Sequence, residues 1–413
     1  MSDSDGDRDR DRLFAFIDGC RDAAVELERE MCACPAVSPV SGGEGELDKA
    51  LYIEDFLRKH GIADIERIDA PAPGAKGEVR PNVVATVPGK NDEARFWVIS
   101  HLDVVPPGDL SLWSGNPWEL AVDGDVLTGR GVEDNQQGIC SSVIAALAFV
   151  KNGVVPERTV KLLFVADEEN GSEHGIGYLM GNCPSLFRPS DMALIPDSGN
   201  AEGSEIEIAE KNILWLKIVV EGKQAHGSRP DLGINAHRVH AELVCALQAL
   251  SARFSATDSL FDPPCSSFEP TKIEANVPNV NTIPGSSAFY MDCRVLPCYP
   301  LKEVFLAFRN IFETVEKKHG VKIRFYAEQM QESPATQADS PLVKRLSKSI
   351  HRVLGVTPRL VGIGGGTVAA YLRRAGVDSA VWSKLGDNAH KTNESALVSN
   401  ILAEAKVITD LLN

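Results

Sequence analysis

Two kinds of apolar pattern alternate in the first half of the chain. From Leu13 onward one set repeats with a period near 3.6, which predicts an amphipathic helix. Its members are Phe14, Ile17, Ala24, Leu27 and Met31. Short β-branched runs then predict strands at 82–87, 96–100, 160–166 and 192–196. Helical patterns separate these runs, and such alternation favours a mainly parallel α/β sheet with helices on both faces.

The order of elements changes after Lys211. The patterns there predict a strand, a helix, two strands, a helix and a strand, at 213–220, 234–254, 271–277, 287–295, 301–319 and 321–327. This βαββαβ order is typical of a ferredoxin-like unit. The α/β pattern then resumes with a helix after Pro341, a strand at 359–361, a helix after Gly366, a strand at 378–382 and a last helix from Glu394.

These patterns divide the chain into three parts. Residues 1–12 are polar and of low complexity, so we expect a disordered tail. Residues 13–210 and 329–413 form one discontinuous α/β domain in this interpretation, and residues 211–328 form a domain inserted into it. A length of 413 residues is consistent with two domains that each bury a core.

Composition and charge exclude some classes of partner. A formal net charge of -16 leaves no basic stripe for phosphates, so we expect no nucleic-acid partner. No apolar stretch reaches the roughly 18 residues of a membrane helix, and the chain begins with a charged Asp/Arg segment rather than a signal peptide. Nine cysteines without a paired CxxC framework indicate reduced core residues. We expect a soluble, cytoplasmic protein with no membrane partner.

Candidate metal ligands follow four predicted strands. They are His101 after 96–100, Glu168 and Glu169 after 160–166, Asp197 after 192–196, and His390 in the loop after Trp382. In open α/β sheets ligands collect at the carboxyl ends of the strands, so these side chains should share one edge. Each residue alone has an ordinary explanation as a loop hydrogen-bonding group, a turn former or a solvated acid. Together, carboxylates and imidazoles indicate a binuclear site for divalent cations.

Two other acids are placed by their local sequence. Asp134 lies in the glycine-rich stretch GRGVEDNQQG, where we expect a carboxylate that bridges two ions, although spacing alone leaves Glu133 open. Asp103 lies two residues after His101. In an extended chain the two side chains point the same way, so Asp103 can hold the imidazole and fix its tautomer.

The adjacent glutamates in VADEENGS are expected to divide their roles. Neighbouring side chains diverge, so Glu168 and Glu169 do not both bind one ion easily. One is then free to act as a base toward a water whose pKa a divalent ion lowers to about 7. A solvated acidic turn is the alternative.

Two further segments are candidates for substrate contacts. GIGGGTVAAYL places three glycines and a threonine at the start of a helix, which favours an anion pocket for a carboxylate, with a flexible turn as the alternative. KQAHGSRPDLGINAH places His226 and Arg229 in a loop before a helix. These two are ordinary surface groups unless a lid closes over the metals.

Segments along the whole chain resemble one family. They are SHLDVVPPGDLSLWSGNPWEL, DGDVLTGRGVEDNQQG, ADEENGSEHG, PDSG, GKQAHGSRPDLGINA, NVNTIPG, DCRVLP, GGGT, and His390 followed by Asn393 and Glu394. The chain is similar to the binuclear zinc amidohydrolases and peptidases. This family includes succinyl-diaminopimelate desuccinylase, acetylornithine deacetylase, aminoacylases, glutamate carboxypeptidase and metal-dependent di- and tripeptidases. The resemblance implies a zinc-peptidase-like α/β/α catalytic domain with an inserted ferredoxin-like lid that forms a homodimer.

The resemblance also implies a role for individual residues. Asp134 would bridge two zinc ions, with His101 and Asp197 on one and Glu169 and His390 on the other. Glu168 would be the general base and acid, and Asp103 the partner of His101. His226 would reach the active site of the other subunit and polarise the scissile carbonyl. Contacts to the substrate's carboxylate or carbonyl would come from Asn281, Arg294, Gly365, Gly366 and Thr367.

Two departures from the family pattern bear on the substrate. The commoner Asp-Met-Lys-Gly is here Asp134 followed by Asn, Gln, Gln and Gly, which weakens assignment to the well-known deacylase branches. Asp197 stands where deacylases and carboxypeptidases of the family mostly have Glu and the amino-acting peptidases have Asp. A dipeptide or aminopeptidase-like substrate is thereby favoured.

These inferences predict a metal-dependent hydrolase with two divalent ions per subunit. Zinc is expected, and cobalt or manganese would also suit the ligands. A water activated by the metal, with Glu168 as its base, would cleave the amide bond of a small carboxylate-bearing molecule. That molecule would be either an N-acyl amino acid or a short peptide. The alternatives are hydrolysis of a carbamoyl or ureido C–N bond on the same metal core, and a catalytically silent binding protein with this fold.

Overall fold

The computed structural model describes residues 3–413, with side chains from residue 6 onward. Met1 and Ser2, which belong to the predicted tail, lie outside the described residues. The chain divides into two compact units. The first unit comprises Met1–Ile208, Thr336–Leu360 and Thr367–Asn413, and the second comprises Ala209–Ala335 and Val361–Gly366.

The elements are numbered in chain order. Those up to residue 210 are α1 (Asp3–Asp18), α2 (Arg21–Cys32), α3 (Leu47–Lys59), β1 (Ile65–Pro71), β2 (Val79–Val87), β3 (Asn91–His101), β4 (Ala121–Asp123), β5 (Val126–Thr128), α4 (Gln137–Asn152), β6 (Arg158–Val165), α5 (Ile176–Asn182), β7 (Met192–Gly199) and β8 (Glu205–Glu210). Those from 212 to 331 are β9 (Asn212–Glu221), β10 (Ala225–His226), α6 (Ala236–Leu247), α7 (Ala249–Arg253), β11 (Ser267–Ile273), β12 (Thr282–Ile283), β13 (Ser286–Val295), α8 (Leu301–His319) and β14 (Lys322–Gln331). The last are α9 (Pro341–Leu354), β15 (Arg359–Ile363), α10 (Ala369–Arg374), β16 (Asp378–Ser383), β17 (Ser395–Leu397) and α11 (Val398–Leu412).

An eight-stranded sheet with the order β1-β2-β6-β3-β7-β16-β8-β15 organises the first unit. Its middle strands β6, β3, β7 and β16 are parallel. Strands β1 and β2 on one side, and β8 on the other, are joined antiparallel. Trp97, Val98 and Ile99 of β3 are fully buried, as expected for a central parallel strand covered on both faces. The predicted α/β fold with a mixed, mainly parallel sheet is confirmed.

The N-terminal segment corrects one prediction. Residues 3–12, which we expected to be disordered, belong to helix α1. Arg10 pairs with Asp7 at 2.9 Å, three residues away on the helix. The Arg12 guanidinium donates to the carbonyl of Asn152 at 2.8 Å. The polar composition is therefore that of the exposed face of a helix whose later turns carry the apolar stripe, and its charges pair locally instead of repelling.

The second unit is a sheet covered by helices. Its strand order is β11-β13-β9-β14, with every neighbouring pair antiparallel. This is the arrangement of a ferredoxin-like βαββαβ unit. Helix α8 buries Val304, Phe308, Phe312 and Val315 at helical spacing in the core it forms with α6 and the sheet. The helix ends at Gly320, whose φ of 64° provides a left-handed C-cap.

The bounds of the units and helices differ in detail from the sequence patterns. The second unit runs from Ala209 to Ala335, where the patterns place the inserted domain at 211–328. Helix α11 begins at Val398 rather than at Glu394. Among the described residues, none of the helices has both the length and the apolar character that a membrane crossing requires.

Candidate functional site

Four neighbouring parallel strands of the first unit deliver the candidate ligands. Strand β3 ends at His101, and β7 contains Asp197 near its carboxyl end. Strand β6 ends at Val165, just before the turn with Glu168 and Glu169, and β16 leads into the loop that carries His390. Because these strands are adjacent and parallel, their carboxyl ends lie at one edge of the sheet.

Asp134 stands between two groups of donor atoms. Its Oδ1 lies 2.8 Å from Nε2 of His101, and that same nitrogen lies 3.4 Å from Oδ1 of Asp197. Its Oδ2 lies 3.1 Å from Nε2 of His390, which is 3.0 Å from Oε1 of Glu169. Each carboxylate oxygen therefore faces a different imidazole and a different second acid, which is the placement expected of a bridging carboxylate.

The turn that presents Asp134 depends on a glycine. Gly131 has φ 86°, and a Cβ there would lie 2.5 Å from Cγ1 of Val104. A side chain at this position is excluded by both the left-handed backbone and the contact. Asn135, joined to Asp134 by a cis peptide bond, donates to Oδ1 of Asp197 at 2.7 Å. The turn thus fixes one candidate ligand and the orientation of a second.

Asp103 holds two parts of the site. Its carboxylate accepts hydrogen bonds from the backbone N–H of Glu168 and of Glu169, each at 3.0 Å. Nδ1 of His101 lies 3.0 Å from the Asp103 carbonyl oxygen and 3.5 Å from its carboxylate. The shorter contact to the imidazole is therefore through the backbone, and the fully buried carboxylate mainly fixes the glutamate turn.

The glutamate turn rests on a buried ion network. Asp167, with φ 64°, accepts a hydrogen bond of 3.0 Å from Arg80. Arg80 also forms a buried ion pair with Glu46. The left-handed backbone at Asp167 turns the chain directly after β6, so that Glu169 reaches His390. Glu168 is half-buried beside this group and is not among the residues whose donor atoms form the two clusters.

The concentration of charge shifts the pKa of several groups. Burial opposes protonation of His101, but hydrogen bonds to Asp103, Asp134 and Asp197 outweigh it and hold the pKa of the imidazole well above its usual value. Hydrogen bonds to Asp134 and Glu169 raise the pKa of His390 to about 10. Burial and the nearby charge of Asp197 raise the pKa of Glu168 well above its usual range. The edge of the sheet thus carries a strong negative potential that favours cations.

The donor set fits two divalent cations. His101, Asp134 and Asp197 offer atoms within 4.8 Å of one another, and so do Asp134, Glu169 and His390. Imidazole nitrogen and carboxylate oxygen are the ligands that zinc and related divalent ions take. Asp134 belongs to both groups, so these five residues would hold two ions that share one carboxylate.

Three residues near the site make specific contacts that the sequence did not predict. Asn135 orients Asp197. Glu133, left open as a bridging residue, instead accepts hydrogen bonds from the backbone N–H of Gly386 and Asn388. Glu394 accepts hydrogen bonds from the backbone N–H of Gly131, Glu133 and Asp134. In the sequence, Glu133 was a possible bridging acid and Glu394 belonged to a family-like segment, but neither pattern indicates the hydrogen-bond partners of these side chains.

The predicted substrate contacts lie mostly in the second unit. His226 is exposed on β10, where Nδ1 lies 2.8 Å from Oγ of Ser228. The carbonyl of Asn281 accepts from the N–H of Gly227 at 2.6 Å. Arg294 donates to the carbonyl of Gly364 at 2.9 Å, next to Gly365 and Gly366. Thr367 belongs to the first unit. Helix α10, which follows the glycines, begins at Ala369 and has only six residues, so it is too short to support the predicted anion pocket by itself.

The fold and this site define a metallohydrolase. A model of the peptidase family M20/M25/M40 matches residues 97–413, and the chain belongs to that family of dimetal-dependent enzymes, whose members act on peptide or amide bonds. The predicted resemblance is confirmed.

Three similar proteins illustrate the range of the family. An uncharacterized metallohydrolase of Methanococcus maripaludis is 37% identical over 411 residues, covering 95% of this chain and 99% of the relative. A succinyl-diaminopimelate desuccinylase of Afipia carboxidovorans is 28% identical over 395 residues, covering 94% and 98%. The structure of a dipeptidase of Saccharomyces cerevisiae matches with a TM-score of 0.73 and 18% identity, covering 98% of both chains.

Proposed function

We propose that this metallohydrolase cleaves the amide bond of a small, carboxylate-bearing amino-acid derivative, either an N-acyl amino acid or a short peptide. The observation that carries the proposal is the position of Asp134, whose two oxygens face His101 at 2.8 Å and His390 at 3.1 Å. When bound there, two divalent ions supply a Lewis acid for the carbonyl and lower the pKa of a water to about 7. Zinc is the proposed metal, and cobalt or manganese would suit the same donors.

Glu168 is the proposed proton carrier. It precedes the ligand Glu169, and the backbone N–H of both residues is fixed by Asp103 at 3.0 Å. Its carboxylate would take a proton from the attacking water and deliver it to the nitrogen of the departing amine. A carboxylate placed in this way typically contributes a factor of about 10²–10⁴ to the rate. Asp103 acts in this scheme by fixing the direction in which Glu168 points.

The substrate class rests on relatives and on one ligand. The similarity to a succinyl-diaminopimelate desuccinylase extends over 94% of this chain and supports an N-acyl amino acid. Asp197, rather than Glu, supports a short peptide. Both substrates present an amide and a free carboxylate, and Asn281, Arg294, Gly365, Gly366 and Thr367 are the proposed contacts for such groups. His226 of the partner subunit is the proposed donor to the scissile carbonyl in a cytoplasmic homodimer.

A substrate panel tests this proposal directly. Protein loaded with zinc, cobalt or manganese is incubated with N-succinyl and N-acetyl amino acids, dipeptides and an N-carbamoyl amino acid, and released amine and ammonia are measured separately. We expect amine release from one of the first three groups. Ammonia release from the carbamoyl compound alone would support ureido hydrolysis instead. Two bound ions without hydrolysis of any amide would support a binding protein.

The role of Glu168 is tested with a matched pair of variants. Glu168→Gln should lower kcat by about 10²–10⁴ while metal content, measured by elemental analysis, stays at the wild-type level. Glu173→Gln changes an exposed glutamate in the same loop and should leave kcat unchanged. Full activity in Glu168→Gln would exclude it as the proton carrier.

A further inference from the structure

Glu133 and Glu394 connect the two segments that carry Asp134 and His390. Glu133 directly precedes Asp134, and its carboxylate accepts hydrogen bonds from the backbone N–H of Gly386 and Asn388. Both donors lie in the loop that leads from β16 to His390. Glu133 is 2% exposed, so these bonds are formed away from bulk water, where charge-assisted hydrogen bonds are strong.

Glu394 makes the reverse connection. It lies four residues after His390, and its Oε1 accepts from the N–H of Glu133 at 2.9 Å and of Asp134 at 3.0 Å. Its Oε2 accepts from the N–H of Gly131 at 2.9 Å and from the Arg130 guanidinium at 2.6 Å. Each segment thus presents backbone N–H groups to a buried carboxylate of the other.

The backbone of the His390 loop needs such support. Asp387, His390 and Asn393 have φ values of 60°, 62° and 57°, in the left-handed region that non-glycine residues avoid. Residues held there are strained, and they persist when surrounding contacts fix them. Gly386 allows the approach of Glu133, because a Cβ at 386 would lie 3.1 Å from Oε1 of Glu133 and 2.6 Å from Nδ2 of Asn388.

We propose that Glu133 and Glu394 form a reciprocal clamp that sets the separation of Asp134 from His390, and thereby controls occupancy of the cation subsite formed by Asp134, Glu169 and His390. Both glutamates are positioning residues, since they act through the two ligands. The inference rests on the proposed binuclear function. It assigns Glu133 to the loop of the second subsite and not to either ion.

The contacts predict different effects for the two members of the clamp. The Glu133 carboxylate accepts hydrogen bonds from the loop of His390, so its loss should weaken cation binding at the subsite that contains His390 and spare the subsite of His101 and Asp197. Glu394 touches the backbone N–H of Asp134, the residue common to both subsites. The loss of Glu394 should therefore lower the affinity for both ions. It also leaves the Arg130 guanidinium without this carboxylate partner.

Metal binding in the absence of substrate is the decisive measurement. Cobalt is titrated into metal-free protein by calorimetry, with the visible absorption of cobalt as a second readout. The wild type should bind two ions. Glu133→Ala should bind the second ion about 10–100-fold more weakly, as expected for loss of a group that orients a ligand, with the first ion unchanged. Glu133→Gln retains one acceptor oxygen, so its affinity for the second ion should lie between those of the wild type and Glu133→Ala. This variant is used in place of Glu133→Ala if the alanine variant does not fold.

A double-mutant cycle separates positioning from a general loss of stability. If Glu133 acts through His390, then His390→Ala and the combination with Glu133→Ala should bind cobalt equally, because the effects of coupled residues do not add. Asp125→Ala is the control: it removes a carboxylate that accepts from the backbone N–H of Ser399 at 3.0 Å and belongs to neither group of donor atoms, so it should bind both ions normally.

The outcomes distinguish this inference from the proposed function. Fewer than two ions in the wild type would overturn the binuclear function. Two ions in the wild type, with unchanged affinity in Glu133→Ala or with additive losses in the double variant, would overturn the clamp alone.

Discussion

The side-chain amide of Asn135 donates a hydrogen bond of 2.7 Å to Oδ1 of Asp197. The same nitrogen lies 2.6 Å from the carbonyl oxygen of Pro196, so the amide is fixed to the end of the strand that carries the ligand. A ligand held by a neighbouring donor keeps its orientation when an ion arrives or leaves. Asn135 is buried, and its backbone follows Asp134 directly, so it links two candidate ligands of the same ion.

Asn135→Ala should weaken the binding of the ion at the subsite of His101, Asp134 and Asp197. Without the amide, Asp197 is free to rotate, and we expect the affinity for that ion to fall about 10–100-fold. Calorimetric titration with zinc or cobalt measures the change. Asn200→Ala removes a similar contact beyond the same strand, from Nδ2 to Oγ of Ser204 at 3.0 Å, and should bind as the wild type does. Equal affinities in Asn135→Ala and the wild type would show that Asp197 is held by its strand alone.

Asp103→Asn should lower kcat more than it changes KM. The carboxylate accepts from two backbone N–H groups at 3.0 Å, and an amide would direct its own donor at one of them. The turn with Glu168 and Glu169 would shift, so we expect activity to fall about 10–100-fold. Steady-state kinetics with the preferred substrate from the panel, at matched metal content, checks this. Asp125→Asn, which alters a carboxylate on the N–H of Ser399, is the control. A kcat within twofold of wild type in Asp103→Asn would contradict the prediction.

The strand ends were predictable, and the contacts around them were not. Apolar runs mark β3, β6, β7 and β16, and parallel strands bring their ends together, so the sequence was sufficient to place His101 and Asp197 at one edge. The sequence does not show which of the adjacent acids, Glu133 or Asp134, joins the candidate ligands. The answer depends on the position of the loop with Gly386, which binds the Glu133 carboxylate. That position is a tertiary property, and no local pattern contains it.

Two elements that the sequence did not predict, strand β1 and the first turns of helix α1, have a polar composition. Strand β1 reads IERIDAP and lies at the sheet edge, where only Ala70 of its residues is buried, so it lacks the continuous apolar run of a central strand. Helix α1 begins in a stretch of Asp and Arg residues. Arg10 and Asp7, three residues apart, lie side by side once this stretch is helical. In both cases, contacts with the rest of the unit decide the structure and local composition does not.

Chelation should lower the thermal stability of the protein, and the divalent ion should restore it. Asp134, Glu169 and Asp197 bring three carboxylates together, and bound cations offset their repulsion. An ion present at about 100 times its Kd stabilises the folded state by about 2.7 kcal/mol. Calorimetry with and without a chelator measures the Tm, and elemental analysis verifies removal of the metal. His390→Ala should show a smaller dependence on the ion. An unchanged Tm after verified removal would contradict the prediction.

The stability of the second unit should decrease between pH 7 and pH 5 because of His240. Burial lowers the pKa of this imidazole, which stacks on Phe289 with ring centroids 4.4 Å apart and lies 2.8 Å from Oγ of Ser287. The unfolded chain, with a His pKa of about 6.5, therefore binds more protons than the folded one below that pH. The stabilisation from neutral His240 is fully present above about pH 6.5 and is lost as the pH falls toward the pKa of the folded state. The free energy of unfolding decreases in this range by at most about 1.4 kcal/mol per pH unit. His240→Phe removes the titrating group, so its Tm should fall less steeply with acidification than the Tm of the wild type. Parallel Tm profiles for wild type and His240→Phe would mean that His240 is protonated equally in both states.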